Sequence, residues 1–267
     1  MIRHLLVRSC LIAVAHAGAA AAADMKPLVF EAKSIGGPNS GAVIELWRPA
    51  GNDPLPAVLV MHSCAGVGTN ERSWAARLMG WGYAALVVDS FGPRNQRSVC
   101  VRPDSLPPLL RAQDAFNAAI YLRTRADIQP ERIGIMGFSH GGSTTLFAAI
   151  GENIPLDRGG RPFQAAVAYY PGCAGGTNTS PFATDVLILI GRDDDWTLAD
   201  RCVKAVEARA NQSHAPAIKV YPGAVHGFDY GGTPQPYLGH MIGGNPEAAA
   251  DSFAMTEAFL APRLKSR

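Results

Sequence analysis

The sequence predicts an α/β protein whose central sheet is mostly parallel and carries helices on both faces. Short, continuously apolar segments alternate along the chain with longer segments whose apolar residues recur at helical spacing. A strand that is apolar at every position is typical of a sheet buried on both faces. Strands that alternate with helices favour parallel pairing, because parallel neighbours need a long crossover connection.

The first elements have clear ends. The segment 43–47 reads as a strand in an alternating region and ends before Pro49. The uninterrupted apolar run 56–61 predicts a strand buried on both faces. Residues 71–79 have the pattern of a helix, and Gly80 ends it.

The remaining elements continue this alternation. Residues 107–125 form a clear predicted helix, because their apolar side chains recur at helical spacing. The segment 231–246 is rich in Gly and Pro and is expected to be a loop. Further strands are predicted at 83–88, 132–136, 165–170, 186–190 and 217–221, and further helices at 139–150, 198–210 and 247–264.

The composition indicates one globular unit. From residue 24 to residue 267 no linker, internal repeat or change of composition divides the chain, so a single domain is expected over 24–267. Charged residues make up 17% of the chain, the net charge is +2 and the sequence has no basic run. Nucleic acid is therefore not an expected partner.

Residues 1–23 have the organisation of a cleavable export signal. Arg3 and Arg8 precede an apolar, alanine-rich stretch at 11–23 that ends in small residues. This stretch is too short to span a bilayer, so no stable membrane insertion is expected. We expect cleavage near Ala23 and a mature protein in the periplasm or outside the cell; the alternative is a retained N-terminal helix.

Cysteine usage agrees with export. Removal of the leader leaves four cysteines, and an even number in an exported protein indicates two disulfides. No two of them form a Cys-x-x-Cys pair, so no zinc site is expected. Their number alone leaves three pairings open. The four are Cys64, Cys100, Cys173 and Cys202.

A Gly-x-Ser-x-Gly sequence, Gly137-Phe-Ser-His-Gly141, lies between the predicted strand 132–136 and the next predicted helix. Glycines two residues before and after the serine allow the sharp strand-to-helix turn that exposes a nucleophilic hydroxyl at the sheet edge. The helix N-terminus favours a developing negative charge. Ser139 is thus a candidate nucleophile; the alternative is a glycine-rich helix start that this serine caps.

A serine nucleophile needs a histidine base, and the imidazole needs a carboxylate that fixes its tautomer. Asp193, Asp194 and Asp195 closely follow the predicted strand 186–190, and His226 follows the last predicted strand. The order serine, aspartate, histidine is that of α/β-hydrolases. The residues alone leave the choice among the three aspartates open, and such a run is also typical of a solvated turn or a weak cation site.

The loop after the predicted strand 56–61 supplies further candidates. In this fold that loop donates one backbone N–H to the oxyanion hole, and the residue after the nucleophile donates the other. The candidate donors are the N–H groups of Cys64, or alternatively Ser63, and of His140.

Five stretches of the chain, taken in order and spacing, resemble one known family. They are 58–66, 82–91, 132–142, 187–197 and 221–228. Together they are similar to the dienelactone hydrolase family of α/β-hydrolases over roughly residues 27–263. The resemblance implies the α/β-hydrolase fold.

The resemblance also implies roles for single residues. The acid of the family lies three residues after the glycine that ends its strand, which selects Asp194 when counted from Gly191. The base of the family matches His226.

The same layout places the cysteines in loops near the site. Cys64 and Cys100 lie in loops after neighbouring strands, while Cys173 follows the strand at 165–170 and Cys202 lies just past the acid loop. From this layout we predict the disulfides Cys64–Cys100 and Cys173–Cys202.

The chain departs from the family pattern at three positions. Dienelactone hydrolases proper use a cysteine nucleophile where this chain has Ser139, and a glutamate in the oxyanion loop where it has Ser63. They also carry an arginine soon after the histidine, whereas residues 228–230 include none. These differences favour a secreted esterase of this fold over a dienelactone hydrolase proper.

The sequence therefore predicts a serine hydrolase that cleaves carboxylic esters through an acyl-enzyme intermediate. It is expected to act as a monomer on a small-molecule ester, with no metal or organic cofactor. The alternatives are lactonase or peptidase activity from the same residues, and a non-catalytic binding protein with a hydrolase fold. Trp196, Phe91 and Tyr230 are candidates for lining the site.

Overall fold

The computed structural model describes residues 28–31, 43–51, 53–173 and 179–265. The predicted leader lies outside the described residues. The strands are β1 (Leu28–Glu31), β2 (Val43–Trp47), β3 (Leu55–Met61), β4 (Ala84–Asp89), β5 (Ile128–Phe138), β6 (Ala166–Tyr169), β7 (Val186–Gly191), β8 (Ala217–Tyr221), β9 (Gln235–Tyr237) and β10 (His240–Ile242). The helices are α1 (Thr69–Gly80), α2 (Pro108–Arg123), α3 (His140–Ala149), α4 (Ala199–Glu207) and α5 (Pro246–Leu264).

Strands β1 to β8 form one sheet in the order β1-β2-β4-β3-β5-β6-β7-β8. The pairs β1–β2 and β2–β4 are antiparallel, and every pair that links β3, β4, β5, β6, β7 and β8 is parallel. The predicted α/β class with a mostly parallel sheet is confirmed. Because β5, β7 and β8 run in the same direction, the loops after them meet at one edge of the sheet.

Helices cover both faces of the sheet. Adjacent residues of a strand point to opposite faces, and Phe138 at the end of β5 lies 5.8 Å from Trp74 of α1, between ring centroids. Trp74 lies 5.1 Å from Phe253 of α5, so α1 and α5 share that face. Gly137 faces the other side, where a Cβ would lie 2.8 Å from Thr145 Oγ1 of α3.

The structure differs from the sequence prediction in three places. The predicted loop 231–246 contains the hairpin β9–β10, β5 begins four residues earlier than predicted, and β1 was not predicted as a strand. The hairpin strands are only three residues long and lack an apolar run. Its turn depends on Leu238 and Gly239, whose φ angles of 50° and 85° match the positive φ values of a tight hairpin turn. No helix in the described part of the chain is long and apolar enough to cross a membrane.

Candidate active site

Three predicted site residues meet at the carboxyl edge of the sheet. Ser139 follows β5, Asp194 follows β7 and His226 follows β8. His226 Nε2 lies 2.9 Å from Ser139 Oγ, and His226 Nδ1 lies 2.8 Å from Asp194 Oδ2. The exposed fractions of the three residues are 6%, 2% and 5% in the order Ser139, Asp194, His226. They form a continuous hydrogen-bonded chain that is almost closed to solvent.

The turn at Ser139 explains the flanking glycines. Ser139 has φ 53° and ψ −115°, a conformation that non-glycine residues seldom adopt. A Cβ at Gly137 would lie 2.3 Å from Gly141 O, and a Cβ at Gly141 would lie 2.2 Å from Met61 O. Both contacts are with backbone atoms. The glycines are therefore needed so that β5, α3 and the end of β3 can approach one another at this turn.

Backbone geometry separates the three aspartates. Asp194 is buried, whereas Asp193 and Asp195 are exposed. The N–H groups of Trp196 and Thr197 donate to Asp194 Oδ1 at 2.9 and 2.8 Å, which leaves Oδ2 to accept from His226.

The imidazole of His226 is held in one orientation. In the neutral tautomer with its proton on Nδ1, the ring donates to Asp194 and the lone pair of Nε2 accepts from the hydroxyl of Ser139. The ring packs against Tyr170 and Trp196, at centroid distances of 4.8 and 5.1 Å. Such packing and the two hydrogen bonds fix the tautomer that a general base requires.

The predicted oxyanion donors belong to the loop after β3 and to the first residue of α3. The N–H of Ser63 donates to Glu71 Oε1 at 3.3 Å, so of the two candidates in this loop it is the one that already has an acceptor. His140 is the first residue of α3, where N–H groups have no acceptor within the helix. None of the hydrogen bonds found among the described residues uses the N–H of Cys64 or His140. The geometry therefore favours the pair Cys64 and His140 over Ser63.

A buried arginine lies beneath these two donors. Arg111 is fully buried in α2 and donates to His62 O and to His140 Nδ1, each at 2.7 Å. Burial and the charge of Arg111 lower the pKa of His140 to about 4, so this imidazole is neutral at pH 7. Burial also lowers the pKa of His62 well below its usual value. Arg111 was not predicted as a site residue; its signal in the sequence is a charged residue within the apolar stripe of the helix.

Two carboxylates are buried on the other side of the loop after β3. Glu71 accepts from the N–H groups of Ser63 and Gly68. Asp229 accepts from the indole N–H of Trp74 at 2.8 Å and from the Tyr170 hydroxyl at 2.7 Å. Burial raises the pKa of both carboxyl groups. Glu71 thus fixes the path of the loop, a role that was not predicted from the sequence.

Both predicted disulfides are confirmed. Cys64 is bonded to Cys100, and Cys173 is bonded to Cys202. The first, here called the oxyanion-loop disulfide, joins the loop after β3 to the segment after β4. The second joins the segment after β6 to α4.

The three residues predicted to line the site lie in different places. Trp196 lines a cleft of about 500 Å³ that opens on Ser139. Tyr230 lines a separate cavity of about 430 Å³ beside Ser63 and Glu71. Phe91, the third candidate, lines neither of these two spaces: it is buried, and the guanidinium of Arg111 lies 5.0 Å from its ring centroid. Within the described residues, no group of three or more His, Cys, Asp or Glu side chains is arranged to hold a metal ion.

Comparison with known proteins identifies relatives over most of the chain. The sequence model of the Dienelactone hydrolase family matches residues 45–264. A Bradyrhizobium protein described as a probable 2-oxo-3-(5-oxofuran-2-ylidene)propanoate lactonase is 25% identical over 209 residues, which cover 73% of this chain and 82% of that protein.

Solved structures share the fold at low identity. A dienelactone hydrolase-like promiscuous phosphotriesterase from metagenomic libraries superimposes with a TM-score of 0.68 and 18% identity, over 90% of this chain and 98% of that one. The propionate-bound esterase 2 of Thermogutta terrifontis gives a TM-score of 0.66 and 16% identity, over 90% and 96% of the two chains.

Proposed function

The chain belongs to the dienelactone hydrolase family, and we propose that it is a serine hydrolase that cleaves carboxylic esters through an acyl-enzyme intermediate. The observation that carries this proposal is the hydrogen-bonded chain from Ser139 Oγ through His226 to Asp194. Such a chain supplies a nucleophile, a general base and a carboxylate that orients the base.

In the first step, Ser139 Oγ attacks the ester carbonyl carbon while His226 Nε2 takes the hydroxyl proton. The carbonyl oxygen becomes an oxyanion, and the N–H groups of Cys64 and His140 donate to it. The bond between the carbonyl carbon and the alcohol oxygen then breaks, and the alcohol leaves with the proton from His226. Asp194 stabilises the imidazolium between these events.

In the second step, water takes the place of the alcohol. His226 accepts a proton from the water as its oxygen attacks the acyl carbon bound to Ser139. The bond from the acyl carbon to Ser139 Oγ breaks, the serine regains its proton, and the carboxylic acid is released.

The test combines activity with covalent labelling. Ser139→Ala is expected to abolish hydrolysis of a p-nitrophenyl ester, and a fluorophosphonate probe is expected to label Ser139 alone in the native protein, as mapped by mass spectrometry. Ser143, one helical turn further along α3 and equally buried, is the internal control for labelling. Full activity of Ser139→Ala would refute the proposal, and a folded protein that the probe does not label would favour a non-catalytic binding protein.

Lactone hydrolysis is a second candidate, because the Bradyrhizobium relative is described as a lactonase. The same steps apply when acyl group and alcohol belong to one ring. Comparing kcat/KM for γ-lactones and for open-chain esters of similar size distinguishes the two substrate classes.

We propose in addition that the protein is exported. Two disulfides near the site support this, since stable disulfides form in oxidising compartments. N-terminal sequencing of the mature protein tests it: a start near Asp24 is expected, and an intact Met1 in a protein recovered from the cytoplasm would refute it.

A further inference from the structure

The cleft that opens on Ser139 extends along one face of α3. Ser143 and Phe147 are four residues apart in α3 and both line this cleft, so they lie on the same helix face. Ser139, which also lines it, is the residue just before the helix. At about 1.5 Å per residue, Phe147 lies ~12 Å along the helix axis from Ser139. The cleft thus has the nucleophile at one end and an aromatic ring at the other.

The rest of the lining is largely apolar. Pro103, Pro107 and Pro108 come from the segment that enters α2, and Trp196 comes from the loop after β7. The oxyanion-loop disulfide contributes both of its cysteines to the lining. These groups offer contact surface and few hydrogen bonds.

The polar side chains of the lining already have partners within the protein. Ser143 Oγ accepts the N–H of Gly172 at 2.9 Å. Thr197 Oγ1 lies 2.8 Å from Asp194 Oδ2. His140 is neutral because of its lowered pKa, and it accepts from Arg111. Among the described residues that line the cleft, only the exposed Asp104 carries a charge, and that charge is negative.

The position of His226 indicates which part of an ester, the acyl group or the alcohol, occupies this cleft. It is not among the lining residues, yet the leaving alcohol has to contact its Nε2 to receive a proton. The alcohol therefore lies toward His226, and the acyl group, which stays bonded to Ser139, extends along α3.

We propose that this cleft is the acyl subsite and that it selects uncharged, apolar acyl groups of medium length while discriminating against acyl groups that carry a carboxylate. This inference rests on the proposed serine esterase activity. An extended chain advances about 1.2 Å per bond, so the ~12 Å between Ser139 and Phe147 accommodates an acyl chain of roughly eight to ten carbons.

A series of p-nitrophenyl esters tests the length of the subsite, because the leaving group stays constant. We expect kcat/KM to rise from acetate to octanoate by at most about fourfold per buried CH₂, and to fall beyond decanoate. Phe147→Trp is expected to lower the decanoate-to-acetate ratio at least tenfold, with the concentration of active enzyme counted by fluorophosphonate titration. The exposed Leu156→Trp is the matched control and leaves the ratio unchanged.

The charge of the subsite is tested with the p-nitrophenyl monoester of glutaric acid, which has an anionic acyl group. Asp104→Lys is expected to raise kcat/KM for this ester several-fold relative to the neutral pentanoate, and added salt is expected to reduce the gain. Asp157→Lys makes the same charge change at an exposed position outside the cleft and serves as its control.

The outcomes separate this inference from the proposed function. Equal kcat/KM for acetate and octanoate in an enzyme labelled at Ser139 would overturn the acyl subsite and leave the esterase proposal intact. A dependence on alcohol length instead of acyl length would do the same. Hydrolysis that survives Ser139→Ala would overturn both.

Discussion

Replacing Asp194 by asparagine is expected to stop His226 from acting as the general base, although both side chains stay in place. In the native protein, Asp194 Oδ1 accepts from the N–H groups of Trp196 and Thr197, at 2.9 and 2.8 Å. Two backbone donors require an acceptor at that position, so the amide oxygen of Asn takes it and the NH₂ group faces His226. An NH₂ group donates only; Nδ1 of His226 must then accept, and the ring proton moves to Nε2, where it blocks proton transfer from Ser139.

The expected magnitude follows from the wrong tautomer. In a serine protease this change lowers kcat about 10⁴-fold, which corresponds to roughly 5 kcal/mol of activation free energy. The free energy of unfolding should change less. Charge-assisted hydrogen bonds become neutral ones while the partners stay in place, a loss of about 1–3 kcal/mol. The melting temperature is then expected to fall by about 2–4 °C per kcal/mol.

The assay compares Asp194→Asn with Asp193→Asn and Asp195→Asn on one p-nitrophenyl ester, with thermal unfolding of each variant. The two neighbours are exposed, and their variants are expected to keep kcat within a factor of about two. The reasoning is refuted if Asp194→Asn retains more than a tenth of the wild-type kcat, or if a neighbouring variant loses as much activity.

Three further predictions concern the surroundings of the site. Gly141→Ala is expected to lower kcat at least 100-fold and to destabilise the protein by about 1–3 kcal/mol, because the alanine Cβ would lie 2.2 Å from Met61 O. A variant with the wild-type kcat and melting temperature would contradict this prediction. The pKa of His140 is about 4 in the folded protein against an ordinary 6.5, so the unfolded chain binds the extra proton and stability falls as pH drops from 6.5 to 4. Melting curves of His140→Gln are expected to show a shallower decline over that range, and an unchanged slope would disprove this. Joint replacement of Cys64 and Cys100 by alanine removes a disulfide between positions 36 residues apart, which is expected to lower the free energy of unfolding by about 4 kcal/mol. Measured below the melting temperatures of both variants, kcat is expected to fall more than it does when the second disulfide, Cys173–Cys202, is removed. Equal losses of kcat would count against a role of the first disulfide in holding the N–H of Cys64.

Much of the sheet could be predicted because its signal is local. The apolar runs that form β3 and β7 are buried on both faces, and no other environment in a globular protein suits them as well. The signal for Ser139 is also local, because the glycines on either side of it predict the turn itself. The family resemblance added the choice of Asp194, which the residues alone could not make.

The aspartate loop shows why that choice is hidden from pattern reasoning. Three identical side chains in a row have the same chemistry and differ only in where the backbone directs them. Asp194 turns inward because the next N–H groups, those of Trp196 and Thr197, point back at its carboxylate. That geometry is a property of the folded loop and has no counterpart in composition or spacing.

Arg111 is hidden for a different reason, because its partners are distant in sequence. His140 is 29 residues away and His62 is 49 residues away. Glu71 likewise acts across a loop, on the N–H of Ser63 eight residues earlier. Sequence patterns within one helix predict which face is buried, but they contain no information on which polar group from another element meets that face.

The buried guanidinium of Arg111 connects geometry with charge at this site. Burial disfavours the charged guanidinium and lowers the pKa of Arg111 to about 9. Hydrogen bonds to His62 O and His140 Nδ1 offset part of this free-energy cost. His62 lies two residues before Cys64, so one guanidinium is bonded to both segments that carry the proposed oxyanion donors. The distance between those two N–H groups determines how well they fit an oxyanion. The same hydrogen bond keeps His140 neutral, because Nδ1 has to accept, and a neutral His140 leaves the cleft along α3 without a positive charge. One buried residue therefore positions the proposed donors for the negative charge that develops on the substrate, and it also keeps a positive charge that would attract an anionic acyl group out of the neighbouring subsite.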